Sequence, residues 1–286
     1  MVRAEDEQLS PVPTSLGTTP PVRSLPEIHE ASARAFLEAE GRHPDTLGVI
    51  LCGSRAIGWA APDGDYDAFI VVTPERFRSL DVADTMVHLY APDEAPKRLI
   101  GDFTYYTEEA FEEALASPLD IDHWPYVDAV VLDDKSGRLG DWCRRLAAFP
   151  EETWKERAMN RYLQLAVAAS SATIDDVRGF DVDRQLNLFR AAIAGVHLWF
   201  AIRRRWAPTF KWWTREIERL EIRPDTRAVL EGAITNPSVD TVTHLREHMK
   251  TELRHAGVSE VDDVLRAFFA TFLPERRASV YRDSYL

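Results

Sequence analysis

Cysteine is almost missing: the 286 residues hold only Cys52 and Cys143. Two cysteines cannot build a disulfide framework, and without cysteine-pair spacing they make no zinc site, so both are expected as reduced packing residues. Long apolar runs are missing as well. No stretch approaches the roughly 18 to 20 apolar residues that a spanning helix needs, which excludes an integral helical membrane protein. The N-terminus has no apolar segment between a basic start and a cleavage site, so a secretory signal is not expected and the cytoplasm is the expected compartment. Positive charge is scarce: 34 Lys and Arg against 47 Asp and Glu give a formal net charge of −13. Non-specific grip on nucleic acid needs the opposite balance. The densest basic stretch is "RRRW", Arg203 to Trp206, followed by Lys211 in "KWW".

What remains is a composition of 45% hydrophobic and 28% charged residues, that of a water-soluble globular protein, over a length that suits two domains. Residues 1–24 are rich in Pro, Thr and Ser and show neither helical nor strand period; they read as a flexible arm. Residues 25–148 read as α/β. A first helix is expected in "EIHEASARAFLEAEG", with Ile28, Ala31, Ala35, Phe36 and Ala39 on one face and Gly41 as its C-cap. Five apolar or alternating runs follow, "TLGVILC", "DYDAFIVV", "TMVHLYA", "GDFTYY" and "VDAVVLDD", giving a sheet of about five strands, with "TEEAFEEALA" helical between the last two. After Pro150, residues 149–286 carry 3.6-type spacing broken by Pro, Gly and Asp, down to a last helix in "SEVDDVLRAFFATFL", and predict an all-helical bundle.

The stretch "LCGSRAIGWAAPDGDYDAFIVV" joins the first two strands. Side chains alternate along a strand, so Asp65 and Asp67 point to one face. Two carboxylates side by side repel unless a cation lies between them, and oxygen ligands select a hard ion such as Mg²⁺. Ahead of them Gly53 permits a sharp turn that exposes backbone N–H groups, and Ser54 adds a hydroxyl; such a turn suits phosphate oxygens. Phosphate beside magnesium implies a nucleotide. A third carboxylate, Asp102 in "GDFTYY", is expected beside Asp65 and Asp67 across the sheet.

Gly-Ser, a further Gly58, Asp-x-Asp entering an apolar strand and an acid on a later strand resemble the motif set of the DNA polymerase β-like nucleotidyltransferase superfamily. The stretch from "DFTYYTEEAF" through "DDKSGRL" is similar to antibiotic nucleotidyltransferases of the kanamycin type. The tail with "RRRWAPTFKWW" resembles bacterial nucleotidyltransferase-domain proteins with a helical tail. The resemblance implies a nucleotidyltransferase domain with a mixed sheet, two Mg²⁺ ions, and ATP or another nucleoside triphosphate as co-substrate. NMP, AMP first, would pass to a hydroxyl of a small acceptor such as an aminoglycoside-like antibiotic, with pyrophosphate released. It implies Asp65, Asp67 and Asp102 as metal ligands and catalytic residues, and Gly53, Ser54, Arg55 and Lys211 as the nucleotide-binding set. It also allows a homodimer. There are departures: Gly64 stands where Ser commonly precedes the first Asp. "AMNRYLQLAVAASSAT" lacks the glutamate that kanamycin-type enzymes take from that helix, which leaves Asp102, or an acid near Asp175 and Asp176, as general base. The other readings are a toxin or antitoxin-type enzyme acting on a protein or tRNA, and a non-catalytic nucleotide-binding regulator.

Several features invite plainer readings. Asp120 and Asp122 form a second Asp-x-Asp, but they follow Pro118 in a polar connection with no Gly-Ser turn, so a solvated loop or cap is expected. Asp133 and Asp134 are expected to start a turn. Arg190 and His197, two helical turns apart, resemble the pair of HEPN-type ribonucleases, yet a histidine at the core edge beside Trp199 is the better expectation. In "WFAIRRRWAPTFKWW" base stacking and bundle packing are evenly matched, with Lys211 as the residue able to meet a triphosphate.

Overall fold

The computed structural model describes residues 30–92, 96–259 and 261. The expected arm at 1–24, Ile28 and the last expected helix from residue 262 onward lie outside the described residues. The chain opens with α1 (Ala31–Arg42), β1 (Thr46–Cys52), the single-turn α2 (Gly53–Ile57) and β2 (Tyr66–Val72). Next come α3 (Pro74–Ser79), β3 (Met86–Tyr90), β4 (Leu99–Tyr106), α4 (Glu108–Ala116), β5 (Val130–Asp134) and α5 (Leu139–Ala147). All five strands fall in the runs marked by their β-branched and aromatic residues.

The sheet has the order β3-β4-β2-β1-β5, with β2 and β4 parallel and the other neighbours antiparallel. The period of two sorts its residues onto two covered faces. Tyr66, Ala68, Ile70, Phe103 and Tyr105 pack with Ala33 and Leu37 of α1. Phe69, Val71, Tyr106 and Ile50 pack with Phe111 of α4 and with Leu139, Trp142 and Leu146 of α5. Asp67 and Asp102 lie on this second face by alternation.

Two expectations for α1 need correction. Gly41 does not cap it, because the helix runs on to Arg42 and leaves through an extended His43. The buried positions are Ala33 and Leu37, with Phe36 stacked on Phe103 at 4.9 Å, while Ala31, Ala35 and Ala39 stay exposed. A stripe of methyl groups carries too little apolar area to outcompete Leu37 and Phe36 for the sheet.

The remainder is helical: α6 (Trp154–Arg178), α7 (Asp181–Ile202), α8 (Trp213–Arg219), α9 (Pro224–Thr235) and α10 (Val239–His255). α6 turns into α7 at Gly179, whose φ of 73° suits a left-handed cap. Alanines at 158, 168, 169, 172, 191, 192 and 194 are buried in the core that α6 and α7 share, and small side chains let the two helices pack closely. Gly195 lets α10 close in: a Cβ there would stand 2.5 Å from Leu245 Cδ2. The helical core also takes in Trp124 from the connection before β5 and packs against Ile57 and Trp59 beside α2.

That connection corrects another expectation. Asp120 is 9% exposed rather than solvated. Its carboxylate accepts from Arg161 Nη2 at 3.0 Å and from His197 Nδ1 at 2.8 Å, with Arg157 Nη2 at 3.6 Å. Burial alone would raise its pKa, but the His197 hydrogen bond and the two guanidinium charges hold it down at about 2. His197 is therefore an ion-pair partner lying edge-on to Trp213 at 5.9 Å, and Arg190 donates to Asn187 Oδ1 at 3.2 Å. The second Asp-x-Asp locks the sheet layer to the bundle; Asp122 accepts from the Ser117 hydroxyl. Asp134 makes the expected turn, taking Ser136 Oγ at 2.8 Å and Leu139 N at 3.0 Å.

Candidate functional site

The site is built at the end of β1 and the start of β2. At Gly53 the backbone enters the left-handed region with φ +66°, where only glycine sits without strain. A Cβ at Gly53 would lie 2.1 Å from Asp67 Oδ2, so the missing side chain is the space the carboxylate occupies. α2 then makes one turn and stops at Gly58, φ 85°. The Ser54 carbonyl takes the N–H groups of Trp59 at 2.8 Å and Ala60 at 3.2 Å, which folds the following loop back over the turn. Five residues give little macrodipole; what the turn offers an anion is its first free N–H groups.

Arg55 works on the loop. Its Nη2 donates to Pro62 O at 3.0 Å and Gly64 O at 2.6 Å, and its guanidinium lies 4.6 Å over the Tyr66 ring on the sheet's other face. Those bonds fix the loop that delivers Asp65 to the mouth of β2. The structure thus gives Arg55 a bracing role at the site's rear.

Asp67 and Asp102 are register partners across the parallel β2–β4 pair. Directly paired positions share a face, so two carboxylates stand side by side on adjacent strands. Burial is the largest cause raising the Asp67 pKa, followed by the Asp65 charge; Lys211 opposes them and Asp102 adds to them, and the result is about 6 against a usual 3.8. Asp65, Asp102 and Lys211, expected from separate segments, all act electrostatically on Asp67. Among the described residues no three His, Cys, Asp or Glu side chains are grouped closely enough to hold a metal ion. The acids stand as neighbours with a shared charge excess, which fits a hard cation by chemistry of donor set. Cys52, fully covered, directs its thiol to Asp67 O at 3.5 Å, and burial pushes its pKa well up, so it stays a packing thiol.

Lys211 lies in a short turn of 3₁₀ helix, Phe210–Trp212, just before α8. Its ammonium stands 5.3 Å from the Trp212 ring, and Trp212 in turn meets Trp59 at 5.7 Å. The Arg219 guanidinium lies 5.6 Å from the centre of the Trp59 ring, and Arg215 Nη1 donates to Trp59 O at 3.4 Å. The bundle is thus bound to the loop that follows the Gly-Ser turn, and Lys211, on the same short turn as Trp212, adds a charge that acts on Asp67. The rest of the basic stretch packs: Trp206 stacks on buried His123 at 3.8 Å with Arg157 at 4.6 Å on the same ring, Arg203 lies over Trp199, and Arg204 lies over Trp154. Trp213 Nε1 donates to Pro208 O at 3.0 Å.

Asp175 and Asp176 sit at the far end of α6, where Asp175 takes Asn187 Nδ2 at 2.9 Å and Asp176 takes Arg184 Nη1 at 2.7 Å. They hold the α6–α7 corner and are not among the charges acting on Asp67. One residue escaped the sequence reading. His88 of edge strand β3 pairs in register with Asp102, its Nε2 3.6 Å from Asp102 Oδ1. The sequence signal was a single polar side chain in "MVHLY", readable only once β3 is paired with β4.

A family profile described as a domain of unknown function, DUF4037, matches residues 124–213, from the buried Trp124 through α6 and α7 to Trp213. No curated protein matches the sequence significantly. Among solved structures, the chain is similar to a nucleotidyltransferase-like protein from Exiguobacterium sibiricum 255-15. The two are 14% identical with a TM-score of 0.45, over 88% of this chain and 86% of that one.

Proposed function

We propose that the chain is a nucleotidyltransferase, moving an NMP, AMP first, from a nucleoside triphosphate to a hydroxyl of a small acceptor and releasing pyrophosphate. The observation that carries this reading is the lateral register of Asp67 with Asp102, set against a glycine turn whose absent Cβ makes room for the Asp67 carboxylate. A purely structural pair of acids would be paired with arginines, as Asp120 is. Here carboxylates face carboxylates, with the Lys211 ammonium opposing them.

Asp65, Asp67 and Asp102 are the residues that would hold Mg²⁺, because oxygen-only donors suit a hard cation. Bound there, the metal would supply charge neutralisation on the phosphates and a lowered pKa for the attacking hydroxyl. The residues of the chain do the rest. The Gly53–Ser54 turn presents N–H groups and a hydroxyl to phosphate oxygens. Lys211 enters from the bundle side to meet the triphosphate. Asp102, beside His88, accepts the proton of the acceptor hydroxyl as its oxygen bonds the α-phosphorus and the bond to the pyrophosphate oxygen breaks. The acidic surface draws a polycationic acceptor of the aminoglycoside kind.

The test is transfer of label from each α-labelled triphosphate in Mg²⁺, with and without aminoglycosides, followed by the mass of the labelled acceptor. Labelled product with stoichiometric pyrophosphate is expected from wild-type protein, and at least a hundredfold less from Asp67→Asn. Equal turnover by Asp67→Asn or Asp102→Asn, or nucleotide binding with no transfer to any acceptor, would overturn the proposal.

A further inference from the structure

Behind the acids, where Tyr66 packs on the α1 face of the sheet, the fold leaves a cavity of about 100 Å³. Two guanidinium groups line it, Arg55 from α2 and Arg98 from the segment just before β4, together with the Glu30 carboxylate and the apolar walls of Tyr66 and Ile100. In a chain of net charge −13, two arginines against one acid around a single cavity reverse the overall balance. Arg98 Nη2 lies 3.6 Å from Glu30 Oε2, longer than a direct hydrogen bond, and Arg98 Nη1 reaches Asp63 O at 3.5 Å. Arg55 uses one of its three nitrogens: Nη2 carries both of its hydrogen bonds, to Pro62 O and Gly64 O. Its Nε is buried with no acceptor, and Nη1 has no acceptor among the described residues. A guanidinium offers five donors in a rigid fork, and a charged donor left unanswered is costly. The protein supplies too few acceptors here, and an acceptor from outside would complete the set.

We propose that this cavity is a binding site for a phosphate-sized oxyanion held between Arg55 and Arg98. Its volume is the liquid share of about three water molecules, room for one small ion. Arginine forks match phosphate oxygens and give charge-assisted hydrogen bonds of about twice the ordinary strength. Glu30 works against the ion, because it competes for Arg98 and repels negative charge. The site stands back to back with the acids. Gly64 and Tyr66 both line it, and Asp65, whose charge acts on Asp67, lies between them in the chain. Ile100 lines it two residues before Asp102. An oxyanion bridging Arg55 to Arg98 therefore ties the loop ahead of β2 to the start of β4, the two segments that lead into Asp67 and Asp102.

Calorimetric titration of the full chain, free of metal and nucleotide, with inorganic phosphate and separately with glycerol 3-phosphate tests this. Two charge-assisted contacts give an expected dissociation constant of about 1 mM for at least one of the two probes. The tighter of the two tells the free ion from a phosphomonoester as the source. Arg98→Gln should weaken binding by about tenfold, and Glu30→Gln, which removes the competing carboxylate, should tighten it. Lys211→Met strips the cation acting on Asp67 and should leave this binding unchanged. Hydrogen exchange places the ion: amides of residues 62–66 and 98–101 should slow in phosphate for wild type and not for Arg98→Gln. No binding of either probe, an affinity indifferent to Arg98→Gln and Glu30→Gln alike, or binding abolished by Lys211→Met would overturn the proposal. No nucleotide is present in the titration, so failure of nucleotide transfer would leave this site standing.

Discussion

Gly53 and Gly58 give a paired perturbation that separates backbone strain from the geometry of the acids. Both adopt positive φ, +66° and +85°. Alanine in the left-handed region costs about 1 to 2 kcal/mol at either position. At Gly58 the new Cβ meets nothing within 4 Å, so that strain is the whole effect. At Gly53 the Cβ would lie 2.1 Å from Asp67 Oδ2 and 3.1 Å from Asp67 Cβ, so the carboxylate or the turn must move by about 1 Å to reach ordinary contact. A displacement of that size at reacting groups costs about a hundredfold in rate. Thermal melts and label transfer are the assays. Gly58→Ala should lower Tm by about 2 to 8 °C, at about 2 to 4 °C per kcal/mol, and keep transfer within a few-fold of wild type. Gly53→Ala should fall further in Tm and lose about a hundredfold in transfer. In an Asp67→Ala background the extra thermal cost of Gly53→Ala should shrink toward that of Gly58→Ala, since the clashing carboxylate is gone. Equal losses for the two alanines, or a Gly53→Ala cost unchanged by Asp67→Ala, would refute the reasoning.

The charge balance gives three further expectations. The Asp67 pKa of about 6 lies above its unfolded value of 3.8, so the stability linked to it is present below about pH 4 and lost as pH climbs to 6. In metal-free buffer at pH 7.5, Asp67→Asn should therefore melt above wild type, by about 2 to 3 kcal/mol in stability, and match it near pH 4. Added Mg²⁺ should raise wild-type Tm more at pH 7.5 than at pH 5 and do little for Asp67→Asn. Asp120 carries the opposite sign: with its pKa held at about 2, its contribution is present above about pH 4 and lost as pH falls toward 2. Asp120→Ala should cost about 3 to 5 kcal/mol in urea unfolding at neutral pH, because buried Arg161 and His197 lose the Asp120 carboxylate. Lys211→Met removes the cation that lowers the Asp67 pKa, so the inflection of the metal-free stability profile should move above pH 6, with nucleotide KM raised at least tenfold.

The sequence speaks clearly where signals are local. Gly53, Ser54, Asp65 and Asp67 lie within one short stretch, and strand alternation alone sets the carboxylates near the turn. All five strands are readable from their residue types, yet their pairing is not. Asp102 could be expected beside Asp67, but the parallel register that aligns them follows from β3 taking the edge and β4 inserting next to β2. His88 was invisible for the same reason. Asp120 was misread because its partners, Arg161 and His197, come from two later helices, and nothing near Pro118 announces a buried guanidinium. Local turn chemistry said solvated loop; tertiary pairing decided otherwise.

Asp120 and Asp67 also show how one residue type acquires opposite roles here. Both are largely buried, and burial is the first cause acting on each. Asp120 receives two guanidinium groups and an imidazole, which keep it ionised as a fixed clamp between the sheet layer and the bundle. Asp67 receives one ammonium and two further carboxylates, which leave it short of positive charge. The clamp and the shortage are connected through the chain. Asp120 anchors α6 and α7, while Trp212, Arg215 and Arg219 hold the loop at Trp59. Between these two attachments lies Lys211, whose charge lowers the pKa of Asp67. The bundle therefore contributes to the electrostatics of a site whose acids come from the sheet and the loop leading into it, and loosening the Asp120 clamp should raise the pKa of Asp67 without touching it.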